Sequence, residues 1–290
     1  MIIDCHCHAG PGDGLSGPWD TTAQLGPYLA RARAAGIGGS VFFAVFHSDY
    51  AVANRAVARI VAEDPRRRMG FAFVHAARDR GRIGALVEEA VERHGFRGIK
   101  VHRHDARITG EVCEVARRYR LPVLYDVMGE TSMVELLATE FPDVDFVIPH
   151  LGSFADDWRA QVALIDPLER HPNIHTDSSG VRRFDLLLDA VRRAGPEKVL
   201  FGSDGPWLHP GVELHKIRML GLSPSSSRLV LGDNLLRLTS RARRRPGGRV
   251  AVAIARSSAS VAAPSPAPVP VPVPDGADPW EAEQFPVGGR

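Results

Sequence analysis

The sequence predicts an α/β protein of the (β/α)8 TIM-barrel class, and three observations lead there. Up to about residue 240, short β-branched and apolar runs alternate with longer segments of helical period, the pattern of βα units around a parallel sheet. Eight such runs can be counted, the number that closes a barrel. No glycine-rich turn opening a helix follows the first run, as a doubly wound dinucleotide-binding sheet would require. The chain is therefore divided into a barrel over residues 1–240 and a tail over 241–290.

Taken in order, the expected strands are Ile2–Cys7, Gly39–Phe46, Met69–His75, Gly98–His102, Pro122–Val127, Val144–His150, Ile174–Ser178 and Val199–Ser203. Each is short, apolar and flanked by turn residues or charges. The expected helices between them are Ala23–Ala35, Ala51–Glu63, Ile83–His94, Gly110–Tyr119, Met133–Thr139, Ala155–Glu169 and Arg183–Ala194, each ending near Gly, Pro or a charge cluster. From Arg241 the composition turns to Arg, Gly, Ser and Ala, and from Ala263 to Pro274 proline alternates with Val, Ala or Ser. Such a segment cannot bury enough apolar surface to offset the entropy of ordering, and reads as disordered or polyproline II. Within it, Val250–Ala255 is apolar enough to pack locally and Trp280–Phe285 to serve as a docking peptide.

Composition narrows the class of partner. With 36 basic and 34 acidic residues the formal net charge is +2, too balanced for nucleic acid or an anionic membrane as the main partner. A small-molecule substrate is expected. The three cysteines do not form the framework of a small secreted domain. The first residues show no export signal, and no apolar run reaches the ~18 residues of a membrane span. A cytoplasmic enzyme is the expectation.

The chemistry gathers at strand ends. Strand alternation puts His6 and His8 on one face and Cys5 and Cys7 on the other, so Cys-His-Cys-His is not one four-ligand site. With the His face inward, both imidazoles reach the mouth of the barrel, where one metal ion can take both, and the cysteines pack outward against helices. Asp204 ends the eighth strand, beside the first on closure. It can complete a His2Asp site and take a proton from water there. His150, in Pro149-His150-Leu151-Gly152, reaches the same mouth and can stabilise an oxyanion or act as a general acid. Gly152 permits a tight turn and close approach of substrate.

These motifs, with Ile3-Asp4-x-His6-x-His8, Gly98-Ile99-Lys100-x-His102, Leu200-Phe201-Gly202-Ser203-Asp204-x-Pro206 and Val230–Leu238, resemble the amidohydrolase-related family. The likeness is strongest to its branch with aminocarboxymuconate-semialdehyde and dihydroxybenzoate decarboxylases and small hydrolases, and it spans residues 1 to about 240. The resemblance implies one divalent metal, usually zinc, on His6, His8 and Asp204, with His150 as a catalytic histidine beside it. The branch usually has a metal-binding His at the end of the fifth strand, where this chain has Asp126. Carboxylate oxygen is also a competent ligand, so Asp126 is expected to substitute, shifting preference towards Mn2+ or Mg2+.

Lys100 and His102 share a strand face and should point inward. Lys100 is expected to bind a substrate carboxylate, and the alternative is the carboxylated lysine that bridges two metals in binuclear relatives. His102, and His75 at the end of the third strand, are candidates to contact substrate, as is Trp207. Arg103, His104 and Asp177 are expected, with Trp207, on flanking loops that set specificity. The leading expectation is a metal-dependent hydrolase of a small, carboxylated substrate. The alternatives are a non-oxidative decarboxylase of an aromatic or unsaturated acid and a non-catalytic ligand-binding barrel. A homo-oligomer that completes the pocket is an expectation from the resemblance alone.

Overall fold

In the computed structural model the described residues are 1–14, 23–154 and 157–242; the expectations for the tail beyond residue 242 lie outside them. Among the described residues there are nine strands: β1 (Ile3–Ala9), β2 (Gly39–Ala44), β3 (Arg68–Gly70), β4 (Ala72–Phe73), β5 (Ile99–His102), β6 (Val123–Asp126), β7 (Phe146–Ile148), β8 (Ile174–Asp177) and β9 (Val199–Leu200). All neighbouring pairs are parallel, in the order β1-β2-β3 and β4 to β9. β3 and β4 are halves of the one expected third strand, interrupted at Phe71, whose N–H donates to Phe42 while that of Ala72 donates to Gly98. The ring closes where Cys5 donates to Phe201, His8 donates to Gly205 and Cys7 bridges Gly205. The result is the expected eight-stranded barrel.

Eight helices follow the barrel strands in turn: α1 (Leu25–Ala34), α2 (Tyr50–Glu63), α3 (Ile83–Glu92), α4 (Gly110–Tyr119), α5 (Ser132–Glu140), α6 (Trp158–Arg170), α7 (Phe184–Ala194) and α8 (Pro210–Met219). The last is absent from the sequence-derived inventory. Its buried face mixes Pro210 and Glu213 with Leu214 and Ile217, so it lacks a clean apolar stripe. Proline at its first position and His209, whose Nδ1 accepts the Gly211 N–H at 3.2 Å, begin it. No described helix is long and apolar enough to cross a membrane.

Two apolar layers hold this arrangement. The inner one fills the lower barrel with Ile3, Cys5, Val41, Phe43, Met69, Phe71, Leu124, Val147 and Leu200, and a further helix, α9 (Asn234–Thr239), closes it with Leu235 and Leu238. The outer one, between strands and helices, includes Phe42, Ile99, Val101, Val123, Tyr125, Phe146 and Phe201. Glycine matters where this packing is tightest. A Cβ on Gly98 would sit 2.5 Å from the Phe71 ring, so that ring covers the strand backbone itself.

One expectation about β1 is corrected. Ile3 and Asp4 pair with Gly39 and Ser40, but Cys7 pairs with Phe42, so Cys5 and His6 together oppose one residue of β2. This β-bulge breaks the period of two. Cys5 faces inward with the barrel core, whereas Cys7 faces outward, its Sγ 2.9 Å from the Tyr28 hydroxyl. Without the extra residue His6 and His8 would keep company with Asp4. Instead Asp4 is turned out, and only the histidines remain at the mouth.

Candidate active site

Above the apolar layer the inward positions become polar. His6 and His8 come from β1, Lys100 and His102 from β5, Asp126 from β6, Asp177 from β8, and His150 and Asp204 from the turns after β7 and β9. Lys100 is wholly buried, and His6, His8, Asp126, His150, Asp177 and Asp204 are buried too. Four non-glycine residues at these strand ends have left-handed backbones: Met128 (φ 49°), His150 (φ 59°), Leu151 (φ 53°) and Asp204 (φ 55°). Such conformations cost on the order of 1–3 kcal/mol each and persist only when the surroundings impose them. At His150 the N–H donates to Asp177 at 3.2 Å and the carbonyl accepts from Gln161 at 3.4 Å. Gly152, at φ 95°, supplies the expected tight turn, but it is buried against Thr131 and Leu164 rather than beside the cavity.

His6, His8 and Asp204 converge. Nε2 of each imidazole lies 3.4 Å from Asp204 Oδ1, and the three side chains form a group able to hold a metal ion. The other nitrogens are already engaged: His6 Nδ1 is 2.8 Å from Asp177 Oδ2, and His8 Nδ1 is 3.1 Å from the Ala44 carbonyl. Acceptors at both Nδ1 positions put the protons there and leave each Nε2 lone pair facing Asp204, the tautomer metal binding requires. Burial pushes the His6 imidazole down to about 4, against the pull of Asp177, so it is neutral and competent as a ligand. Burial would raise Asp204, but the His8, His6 and His150 imidazoles around it hold it below the ordinary carboxylate value.

Asp177 was expected on a flanking loop; it is the last residue of β8 and wholly buried. Its Oδ2 takes His6, and its Oδ1 accepts from the His150 and Ser179 N–H groups and the Ser179 hydroxyl at 3.2, 3.0 and 2.5 Å. The signal for this role was its place at the C-terminal end of an apolar run, as with Asp126 and Asp204. Asp177→Asn is expected to weaken binding of a divalent ion ~10–100-fold, because an amide can donate to His6 Nδ1 and favour the wrong tautomer. Chelator competition measures this, and an unchanged affinity would remove Asp177 from the account.

Asp4 was missed altogether as a positioning group. It accepts from the Ser203 N–H at 2.8 Å and the Ser203 hydroxyl, from the Tyr28 hydroxyl at 2.9 Å and from the His6 N–H at 3.2 Å. It thus ties the bulge that presents His6 to the residue before Asp204. Burial lifts its carboxyl to about 6 despite these bonds.

His150 is oriented by Nδ1, 2.8 Å from the Ser179 carbonyl, and its Nε2 lies 3.3 Å from Asp126 Oδ2. Burial opposes its charge, but Asp126 above all, with Asp177 and Asp204, lifts the imidazole to about 9. Asp126 does not join the group of His6, His8 and Asp204. Its Oδ2 is also 3.1 Å from His102 Nε2, and its Oδ1 accepts the Met128 N–H at 2.9 Å.

A cavity of about 340 Å3 opens over these groups, lined by His6, His8, His102, His150, Asp126 and Asp204 on its floor and by Phe46, His104, Met128, Ser153, Phe154 and Trp207 above. His102, His104 and Trp207 line it as expected of mouth residues; Phe46, Met128 and Phe154 were not foreseen. Lys100 and His75 are not among the lining residues. Lys100 is sealed below, its Nζ 5.0 Å above the Phe43 ring and without a hydrogen-bond partner among the described residues. Burial lowers its pKa, against the charges of Asp126, Asp177 and Asp204. His75 is turned to its own loop, where Nδ1 accepts the N–H groups of Ala77 and Arg78 at 3.3 and 3.1 Å. Arg103 is held by Glu130, with Nε and Nη2 at 2.9 and 2.7 Å from its oxygens. No lysine or arginine is therefore among the described lining residues.

Comparison with known proteins places this geometry. The profile of the family described as Amidohydrolase matches residues 3–238. Among solved structures, a 2,6-dihydroxybenzoate decarboxylase from Rhizobium is 15% identical, with 82% of this chain and 98% of that one covered at a TM-score of 0.65. A protein from Pseudomonas putida described as a 2-pyrone-4,6-dicarboxylic acid hydrolase is 19% identical, with 84% and 98% covered at a TM-score of 0.64. A dihydroxybenzoic acid decarboxylase from a Polaromonas species, with bound manganese and an inhibitor, is 16% identical, with 82% and 96% covered at a TM-score of 0.61. No curated protein matches the chain. At these identities the structural likenesses bear on the fold.

Proposed function

The chain belongs to the amidohydrolase family, and from that premise we propose that it is a metal-dependent hydrolase of a small substrate, with one divalent ion held by His6, His8 and Asp204. The observation that carries this reading is the pair of Nε2 atoms facing one carboxylate oxygen, each ring locked from behind by an acceptor at Nδ1. Zinc suits two imidazoles and a carboxylate; manganese is the alternative. Such an ion supplies Lewis acidity and makes a water available as a nucleophile near neutral pH.

The remaining steps belong to the protein. Asp204, ionised and buried, takes the proton of the attacking water. His150, kept protonated by its neighbouring carboxylates, donates to the substrate oxygen that gains charge. Phe46, Met128, Phe154 and Trp207 exclude solvent and grip the apolar part of the substrate. With Lys100 sealed beneath the floor, a substrate carboxylate would meet the ion and the histidines of the lining instead.

The second reading, non-oxidative decarboxylation of an aromatic acid, is supported by the same aromatic walls and by a proton held on His150, placed to protonate a carbon. One panel separates the two. The protein loaded with Zn2+ or Mn2+ is given lactones, esters and amides of small acids, and hydroxylated and carboxylated benzoates. Release of a new carboxylic acid supports hydrolysis, and release of CO2 with a ring proton gained supports decarboxylation. Turnover of neither, with the acids still bound, would favour a ligand-binding barrel.

A further inference from the structure

We propose that Asp126 is not a ligand of the ion but the shared acceptor that aims His102 and His150 into the cavity, leaving the ion with three protein ligands and its other positions open. The inference deepens the reading above and rests on it for the ligand set. It starts from what each Asp126 oxygen already does. Oδ1 accepts the Met128 N–H at 2.9 Å, and Oδ2 lies 3.1 Å from His102 Nε2 and 3.3 Å from His150 Nε2.

The opposite nitrogens fix which partner donates. His102 Nδ1 accepts the His104 N–H at 3.1 Å, so its own proton sits on Nε2 and points at Asp126. His150 Nδ1 faces the Ser179 carbonyl at 2.8 Å, a contact that needs a proton on Nδ1. Its Nε2 approaches a carboxylate oxygen already engaged by His102, and that contact is attractive when Nε2 also carries a proton. Asp126 thus receives two imidazole N–H groups on one oxygen and a backbone N–H on the other. Turning it towards His6 and His8 would give up those bonds inside a buried site, where unpaired polar groups are costly. The backbone fits the same assignment: Met128, with its left-handed φ of 49°, brings its N–H onto Oδ1.

At that position the residue acts through its neighbours. His102 packs edge-on against Phe46 with centroids 4.8 Å apart, and His150 against Phe154 at 5.1 Å, so the carboxylate spans the two walls of the cavity and sets the spacing of its two imidazoles. Asp126 is a positioning residue on this view.

The test uses the full chain and Mn2+ as the probe, with free ion read by electron paramagnetic resonance, and 15N spectra of labelled histidines in the metal-free protein. Asp126→Asn and Asp126→Ala are expected to bind Mn2+ within about threefold of wild type, while Asp204→Asn is weakened at least about 100-fold alongside. In the spectra, the Nε2–H signals of both His102 and His150 move or vanish in the Asp126 variants. A loss of Mn2+ affinity in Asp126→Asn comparable to that in Asp204→Asn would overturn the proposal, as would an unmoved His102 or His150 signal. Where a variant is not recovered folded, the wild-type spectrum decides: two hydrogen-bonded Nε2–H protons support the assignment, and a bare Nε2 on either ring removes it. If wild type binds no Mn2+, the ligand set fails, and the histidine signals alone then settle the role of Asp126.

Discussion

Asp204→Asn and His6→Ala are expected to abolish stoichiometric metal binding. Each removes one of three converging donors, and each ion lost takes the chemistry with it. The drop in affinity should exceed the ~10–100-fold typical of losing a group that merely orients a ligand, which is the effect assigned to Asp177. Asp204→Asn also removes the base, so turnover of any identified substrate should fall by a further factor on the order of 10^2–10^4. Elemental analysis after dialysis reads the first effect, and initial rates at saturating metal read the second. Folding should survive in Asp204→Asn, which keeps the shape of a position held at some cost to stability, whereas His6→Ala also gives up its contacts with Asp177 and Phe43 and should lower the melting midpoint as well. One equivalent of tightly bound ion in either variant would end the proposed site.

Phe43→Ala should be the most damaging single change to the folded state among those considered. The ring is wholly buried in the inner layer, edge-on to His6 and His8 with centroids 5.1 and 4.7 Å away, and it lies under the Lys100 ammonium nitrogen at 5.0 Å. Truncating a buried phenylalanine costs about 3–5 kcal/mol through lost transfer energy and the cavity left behind. For a domain of this size that is a fall of roughly 6–20 °C in melting midpoint. Metal affinity should fall with it, since both histidine rings lose the surface that holds their angle. Phe43→Leu should lose less on both counts. An unchanged midpoint in Phe43→Ala would show that the inner layer collapses freely around the site.

The sequence by itself determined the barrel, because eight apolar runs separated by helical segments leave few other ways to bury both. It also determined which residue types stand at the mouth: a strand that ends in His, Asp or His-x-His carries its chemistry to the C-terminal face wherever the neighbouring strands lie. His6, His8, Asp204, His150 and His102 were legible at the cavity for that reason, and Trp207 as a residue of a flanking loop. Period-two reasoning is local, however, and one inserted residue between Asp4 and Cys7 reversed the face of Cys5 without leaving a mark in composition. Helix α8 escaped because its buried face is partly polar, and the four left-handed residues at strand ends escaped because non-glycine residues give no warning of that conformation.

Only the tertiary structure decided what each polar group is paired with. Asp126 and Asp177 look alike in sequence, each an acid closing an apolar run. The first faces two histidines across the mouth, and the second backs His6 from behind. Lys100 shares its strand face with His102, yet two residues of rise separate a side chain in the cavity from one sealed under it. Pattern fixes the direction of a side chain, but its depth in the barrel and its partners come from strands remote in sequence. Those contacts set the tautomers and charges on which binding and proton transfer depend.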